Sequence, residues 1–524
     1  MNPDALSLLP PMVAIILAVW WRNVLPALFV GVWVGTTLLE QGRPDLGLLR
    51  ILDTLLFNVI ASPASDGSVD YSHLTIILFT LFLGAMIGVM SDSGGSAAVV
   101  NHIAKRIKTR HQGQTLTWLT GLVVFFDDYA NTILIGGTMR PVTDRLKISR
   151  EKLAFLIDAT AAPVAGLAVI STWAGFEVGL IEEGFQGVGQ EVDGWRMFIE
   201  TIPYRFYPVT MLLFVAAIAW TGRDYGPMFQ AETDAVNAVP EEEVTEENPS
   251  GQRPFMRHAF IPLIVLVGIV AVGITIDLDS SSKALLIASF IASIAGLVST
   301  LVTRTFSLEQ AVEAWVGGVK SMIPACVILV MAWMIGTVCD AEHLDTAGFL
   351  SSTIGKQLDP AWLPSVSFLM AAGVSFATGS SWATMTLLIP LFTSLSWNLL
   401  GADVVEASHP IVLGTIGSVL AGSIFGDHCS PISDTTVLSS AASHCDHLKH
   451  VSTQLPYAVT VGGISLLLGC VPIGFGLNVW ICLLIQCVTL LAVIFVFGRP
   501  PGAGERQLMP KTPGNPIVVI EPTE

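Results

Sequence analysis

Phe125-Phe126-Asp127-Asp128-Tyr129-Ala130-Asn131-Thr132 lies in the middle of an apolar run over about residues 113–139. The flanks of that run restrict how it can lie. Lys105, Arg106, Lys108 and Arg110 precede it; Arg140, Arg145, Lys147, Arg150 and Lys152 follow it. Short cytoplasmic loops of membrane proteins collect Lys and Arg, so both flanks ask for the same side. A single crossing cannot satisfy both. A re-entrant hairpin can, because about 27 residues give two helical arms of roughly 18 Å at 1.5 Å per residue. The quoted stretch would then form the tip, near the middle of a membrane.

The rest of the chain supports a membrane setting. It has 524 residues, 52% hydrophobic and only 13% charged, whereas a soluble domain carries about 25% charged residues. Apolar runs recur at about 7–21, 24–40, 74–91, 152–180, 203–221, 258–277, 284–302, 322–339, 410–440, 455–475 and 477–497, with a further one at 362–395. About 20 apolar residues span the hydrocarbon core as a helix. The short alternating segments of a β-barrel are missing. Leu6 to Trp21 has no basic leader or small-residue cleavage site and reads as a retained helix. Much of the net charge of −17 sits between Glu232 and Glu247, which reads as a solvated acidic linker. No basic surface for nucleic acid is visible. The seven cysteines show neither paired spacing nor a CxxC knuckle.

The run at 362–395 has acidic flanks, with Glu342, Asp345 and Asp359 before it and Asp403 and Glu406 after it. It therefore enters from the other side. Each half of the chain then reads as three helices, a hairpin, a broken helix and one more helix. Five full crossings per half is an odd number, so the halves must be inverted repeats. The expected fold is an all-α polytopic membrane protein of two inverted repeats, each of five transmembrane helices with a re-entrant hairpin and a broken helix. The expected boundaries are 1–221 for the first repeat, 222–257 for the linker and 258–476 for the second repeat. An extra helix at 477–498 and a polar tail at 499–524 complete the chain. Ala162-Pro163-Val164 before Ile170-Ser171-Thr172 echoes Ser430-Pro431-Ile432 before Leu438-Ser439-Ser440. In this scheme Arg43 and Arg50 fall on the outer side, against the charge rule.

Asp127 and Asp128 carry the most informative chemistry. A carboxylate at the bilayer centre costs about 2.5–3.5 kcal/mol on insertion scales, so it is kept for a purpose. Two adjacent ones repel and should hold a proton or a cation. Asn131 and Thr132 add neutral oxygens within one turn. Asp158 lies near Pro163, which frees a carbonyl, and Ser171, Thr172 and Glu177 follow. The densest cluster is Gly426-Asp427-His428-Cys429-Ser430-Pro431-Ile432-Ser433-Asp434-Thr435-Thr436, where Gly and Pro interrupt an apolar run. The candidate cation and proton site is Asp127, Asp128, Asn131, Thr132, Asp158, Asp427, His428, Ser433, Asp434 and Thr435, with Asp127, Asn131, Asp427 and Asp434 as Na+ ligands. Thr378, Gly379, Ser380, Ser381 and Thr384, at the second hairpin tip, supply neutral ligands for substrate or a second cation. His444-Cys445-Asp446-His447-Leu448-Lys449-His450 has metal-like spacing but reads as a solvated cytoplasmic loop.

The first tip, the segment Thr378-Gly379-Ser380-Ser381-Trp382-Ala383-Thr384 and the cluster at 426–436 together resemble the NhaC-type Na+/H+ antiporter family, over roughly residues 70–490. That resemblance implies inverted repeats, an elevator-like mechanism, and exchange of Na+ for H+ across the cell membrane. It equally covers exchangers of organic acids such as malate and lactate, or of amino acids. The expected partners are the lipid bilayer, Na+ and H+, with a homodimer as the oligomeric form. No cofactor and no enzymatic activity are expected, and the linker and C-terminus are placed on the cytoplasmic side. Asp127→Asn or Asp434→Asn is expected to abolish exchange.

Overall fold

In the computed structural model, the described residues are 5–21, 23–60, 62–63, 69–95, 98, 107–237, 255–275, 281–340, 342–346, 348–349, 353, 358–401, 406–431 and 433–501. They are helical apart from a short antiparallel pair, Ser62–Pro63 with Val69–Asp70, and a bridge between Asp224 and Arg499. The acidic residues Glu241 to Glu247, and the tail beyond 501, lie outside the described residues.

The first helices are α1 (Leu9–Trp21), α2 (Val24–Leu39), α3 (Pro44–Arg50), α4 (Leu56–Ile60) and α5 (Ser72–Asp92). The next group is α6 (Arg110–Val123), α7 (Asp128–Arg145), α8 (Arg150–Ala165), α9 (Thr172–Gln186), α10 (Gly194–Thr201), α11 (Phe206–Thr221) and α12 (Gly226–Asn237). After the linker come α13 (Arg257–Thr275), α14 (Ser281–Val302) and α15 (Leu308–Cys339). The last group is α16 (Leu363–Thr378), α17 (Ser381–Leu400), α18 (Pro410–Cys429), α19 (Asp434–Ser443), α20 (His447–Ser465), α21 (Val471–Gly474) and α22 (Val479–Phe497). Among the described residues, eight helices are long and apolar enough to cross a membrane, or nine if the bent pair Gly194–Tyr204 and Phe206–Thr221 counts as one span. Trp480, Leu484, Val488 and Val496 on α22 are exposed. An apolar face of that kind is stable only with lipid as the solvent.

Two bundles share the load. In one, α5 packs on α14 and α15, and α2 packs on α1 and α15. Gly84 and Gly88 of α5 meet Gly318 of α15 so closely that a Cβ on any of them would strike backbone. Without side chains at the crossing, the backbones approach and gain van der Waals contact, the main attraction between helices in lipid. The other bundle holds the interrupted helices.

Its geometry can be followed residue by residue. Ser367 of α16 donates to Thr415 O of α18 (3.3 Å), and Ser375 donates to Ser423 O (2.6 Å). The separation in sequence is constant, so α16 and α18 run parallel. Residues 401–409 join the end of α17 to the start of α18 and reach at most about 30 Å. α17 also contacts the turn Pro360–Trp362 that leads into α16, so the chain doubles back along α16. The pair α6 and α7 behaves the same way: Arg145 donates to Ile107 O (3.2 Å) and Arg110 to Lys147 O, so both ends of this pair lie together. Gly121 abuts Thr160, which sets α6 alongside α8.

Several expectations need correction. Pro163 lies inside α8; the break falls at 166–171, because a proline in a helix can be accommodated when its neighbours satisfy the freed carbonyl. The echo between 162–172 and 430–440 is out of structural register, since Ser171 caps a helix whereas Ser439 lies within one. Glu232, read as part of a solvated linker, is buried; it pairs with Arg110 and accepts from the Ser149 N–H (2.7 Å). Glu177 is buried against Arg205 (2.6 Å). The His444–His450 loop is mostly helix: Asp446 caps α20, and His450 is buried between Ser440 (2.9 Å) and Gln454 (3.0 Å). Arg43 pairs with Asp45 (2.9 Å) and Arg50 with Glu40 (2.7 Å).

Candidate functional site

Four helices begin at the breaks, and each has its own cap. Asp127 Oδ1 accepts from Ala130 N (2.8 Å) at the start of α7, and Ser171 Oγ accepts from Ala174 N (3.0 Å) at the start of α9. Ser380 Oγ accepts from Ala383 N (3.4 Å) for α17, and Ser433 Oγ accepts from Thr436 N (3.2 Å) for α19. Asp and Ser are favoured at this position because the side chain satisfies an orphan N–H. The breaks are also joined by backbone. Thr172 N donates to Phe126 O (2.9 Å), and Asp434 N donates to Gly379 O (3.3 Å). In each case the donor follows the serine cap of a broken helix and the acceptor precedes the cap of a paired helix. Gly379 has φ +69°, a left-handed conformation that glycine adopts without strain.

The carboxylates differ in how well they are satisfied. Asp127 is engaged on both oxygens, by Ala130 N and by the Thr172 hydroxyl (3.1 Å). Asp128, fully buried, has no hydrogen bond of ordinary geometry on either oxygen; the Trp173 indole N–H, itself unpartnered, is beside it. On the same face of α7, three and four residues on, Asn131 Oδ1 and Thr132 Oγ1 also have no partner. The Asn131 amide donates to Gly121 O (2.8 Å) and Val124 O (2.9 Å), so it stitches α7 to the end of α6 and turns its oxygen inward. Asp427, in the last turn of α18, accepts at Oδ2 from Ser381 (3.1 Å) and Thr435 (3.3 Å), while Oδ1 has no partner. Asp434 is exposed and accepts from the Tyr129 hydroxyl (2.6 Å) and Thr435 N (2.8 Å). Asp128 feels the charges of Asp127 and Asp434, and Asp427 those of Asp434 and Asp158.

Neighbouring polar groups hold this cluster in place. Asp158 is buried and fully engaged, by Thr436 (3.0 Å), Ser439 (3.3 Å) and Gln454 (2.6 Å), which ties α8 to α19 and α20. His428 Nδ1 meets the Tyr207 hydroxyl (2.9 Å), and Nε2 has no partner. Thr378 and Thr384 donate to carbonyls of their own helix, at Val374 (2.9 Å) and Ser380 (3.0 Å). Arg205 donates to Gly166 O at the end of α8, and Gln454 donates to His428 O (3.0 Å) near the end of α18. These side chains satisfy carbonyls that a helix end leaves orphaned.

The sequence-predicted residues therefore meet at the helix breaks. Asp127, Asp128, Asn131 and Thr132 come from α7 and its cap. Asp427, Ser433, Asp434 and Thr435 come from α18 and α19, and Ser380 and Ser381 from α17. Tyr129, Thr172, Tyr207, Arg205 and Gln454 also belong to the network. Tyr129 and Thr172 lie within quoted motifs, while nothing in the sequence around Arg205 or Gln454 signals which carbonyl they reach. No Lys or Arg ion pair reaches Asp127, Asp128, Asp158, Asp427 or Asp434 among the described residues; the imidazole of His450 lies 4.0 Å from Asp158. The nearby cations Lys152 and Arg205 are taken by Asp224 and Glu177.

Comparison with known proteins agrees with this picture. The Na+/H+ antiporter family profile matches residues 164–472. An uncharacterized protein of Haemophilus influenzae is 30% identical, over 93% of this chain and 94% of its own length. The arginine/ornithine antiporter ArcD of Halobacterium salinarum is 29% identical over 41% of this chain and 42% of its own. The crystal structure of the Alcanivorax borkumensis YdaH transporter shares the fold, with a TM-score of 0.56 at 17% identity, covering 83% of this chain and 90% of that one. The chain belongs to the Na+/H+ antiporter family and is a multi-pass secondary transporter.

Proposed function

We propose that this protein exchanges Na+ for H+ across the cell membrane by alternating access, with Asp128, Asp427 and Asp434 as the shared carboxylates. The observation that carries the reading is the set of buried oxygens without partners: both of Asp128, Asn131 Oδ1, Thr132 Oγ1 and Asp427 Oδ1. Buried charge without a counter-charge is expensive. A buried carboxylate so placed needs a proton or a cation, the amide and hydroxyl oxygens beside it can complete a cation's shell, and Na+, a hard cation, prefers oxygen. Helix starts at α7, α9, α17 and α19 place positive dipole ends beside the carboxylates. The ends of α6, α8, α16 and α18 bring carbonyls to the same region, as in other transporters with interrupted helices. Asp127 in this reading is a positioning residue that fixes the start of α7 against Thr172. Asp158 ties the helices together.

The inverted-repeat architecture belongs to the same proposal. In its support, the two halves use one pattern at the breaks, with acid and hydroxyl exchanged: Asp127 beside Thr172 in one, Ser380 beside Asp434 in the other. Both helix pairs, 110–145 and 363–400, then act as re-entrant hairpins from opposite faces, and 222–257 is the cytoplasmic linker. Asp434 is exposed at the level of the tips. An exposed carboxylate at that depth must meet water, so a cleft reaches the site through Asp434.

The test is proton flux in proteoliposomes with an acidic interior. External NaCl alone should raise internal pH in the wild type and not in Asp128→Asn. The match to an arginine/ornithine antiporter supports a second reading, exchange of amino acids or organic acids in the same site. A response to arginine, ornithine or malate with none to NaCl would select it.

A further inference from the structure

A second group of oxygens lies away from the helix breaks. Glu183 sits on α9, is 6% exposed, and its carboxylate makes no ion pair among the described residues. Its carboxylate rests against Gly336 of α15, where a Cβ would overlap it. It lines a cavity of about 50 Å³ together with Asp340, Cys339, Thr386, Pro390 and Ser394. The Thr386 hydroxyl is buried and unpartnered. Pro390 has no N–H, so the Thr386 carbonyl four residues back loses its helical donor. Asp340 is held at the end of α15 by His343 Nδ1 (2.8 Å) and by the His343 and Glu342 N–H groups. The cavity thus offers two carboxylates, a hydroxyl and a freed carbonyl: hard oxygen ligands in a space suited to one small ion or a few waters.

Its position gives it meaning. α9 leaves the break at Thr172, beside Asp127, and Glu183 lies 11 residues on, or about 16 Å along the axis. Thr386 lies five residues beyond Ser381, which hydrogen-bonds Asp427, or about 8 Å along α17. The cavity is therefore walled by the same two helices that start at the central site, toward the end of the bundle away from the basic loop at 145–152. Asp434 is exposed at the central site; the Glu183 cavity lies toward the far end of α9.

We infer that Glu183, with Asp340 and Thr386, forms a relay station for a monovalent cation, Na+ or hydronium, between the central carboxylates and the face opposite the basic loops. This rests on the exchange reading above for its direction of flow, but not for its binding. Two measurements on the full-length protein test it. In proteoliposomes, Glu183→Gln should lower Na+-dependent proton flux at least tenfold, and Glu183→Asp should retain part of it. If Glu183→Gln fails to fold, Gly336→Ala, which keeps the carboxylate and crowds it, takes its place with the same expected loss. Separately, dicyclohexylcarbodiimide should label Glu183 in the wild type, read by mass spectrometry. Labelling suppressed by NaCl but not by choline chloride identifies a Na+ station; labelling suppressed only by raising pH identifies a proton station. Wild-type flux in Glu183→Gln overturns the relay. Labelling at Glu183 that neither NaCl nor pH changes overturns the site itself. A wild-type protein without Na+-dependent flux, yet with Na+-suppressed labelling at Glu183, would reject the exchange reading and keep the site.

Discussion

Asp127 and Asp128 are neighbours with unlike surroundings, and the difference sets what each substitution should do. Asp127 satisfies a helix start and a threonine hydroxyl, so Asp127→Ala should cost about 1 kcal/mol, the usual value of an N-cap, seen as a lower thermal midpoint in detergent. Asn caps nearly as well as Asp, so Asp127→Asn should keep the midpoint and retain part of the exchange, in place of the abolition expected from the sequence alone. Asp128→Asn removes a buried carboxylate with no partner. It should abolish exchange, and leave the thermal midpoint unchanged or raise it. The adjacency of the two acids is plain in the sequence. Their division of labour is not, because it depends on Thr172, 45 positions away, and on the φ and ψ of a cap.

Helices were legible wherever lipid or core demanded an unbroken apolar run. Both special runs break where Asp-Asp and Gly-Ser interrupt them. The stretches 44–60 and 194–204 fold as helices that composition did not announce, since they are short and gain their stability from tertiary packing. The start of α15 at Leu308 was also missed, because Glu309, Gln310 and Glu313 hide an amphipathic first turn. At this scale the pair Arg205–Glu177 makes a clear test. It is buried on both sides, and Arg205 also holds the end of α8 through Gly166 O. Breaking a buried pair from one side costs about 3–5 kcal/mol, because the survivor is left uncompensated. Arg205→Met should therefore destabilise strongly, and Glu177→Leu in the same protein should restore much of the loss, as read by chemical denaturation in mixed micelles. Gly379→Ala should lower stability by about 1–2 kcal/mol, the cost of a left-handed residue with a side chain, and slow exchange by moving the carbonyl that receives Asp434 N.

For the whole molecule, the interrupted helices pack in one bundle, and α5, α14 and α15 form another. The linker's first helix is fixed to the hairpin mouth by Glu232 with Arg110, and Asp224 is fixed by Lys152 and Tyr457 (2.7 Å). Composition gave the membrane class, the basic flanks gave the meeting of the two ends of the α6–α7 pair, and three motifs gave the family. The sequence could not give which oxygens remain unpartnered, since that requires every neighbour to be in place. Competition for those oxygens fixes the pH response. In the proposed exchange, protons that neutralise the carboxylates displace Na+, so the apparent KM for Na+ should rise as pH falls, by up to about tenfold per unit where one proton competes.

Proton release on Na+ binding tests the central claim most directly. The purified protein in detergent, in weakly buffered solution near neutral pH, receives NaCl while the pH is recorded. The shared-carboxylate account predicts a stoichiometric acidification that choline chloride does not cause and that disappears in Asp128→Asn. Na+ binding without proton release, or release that persists in Asp128→Asn, would contradict it.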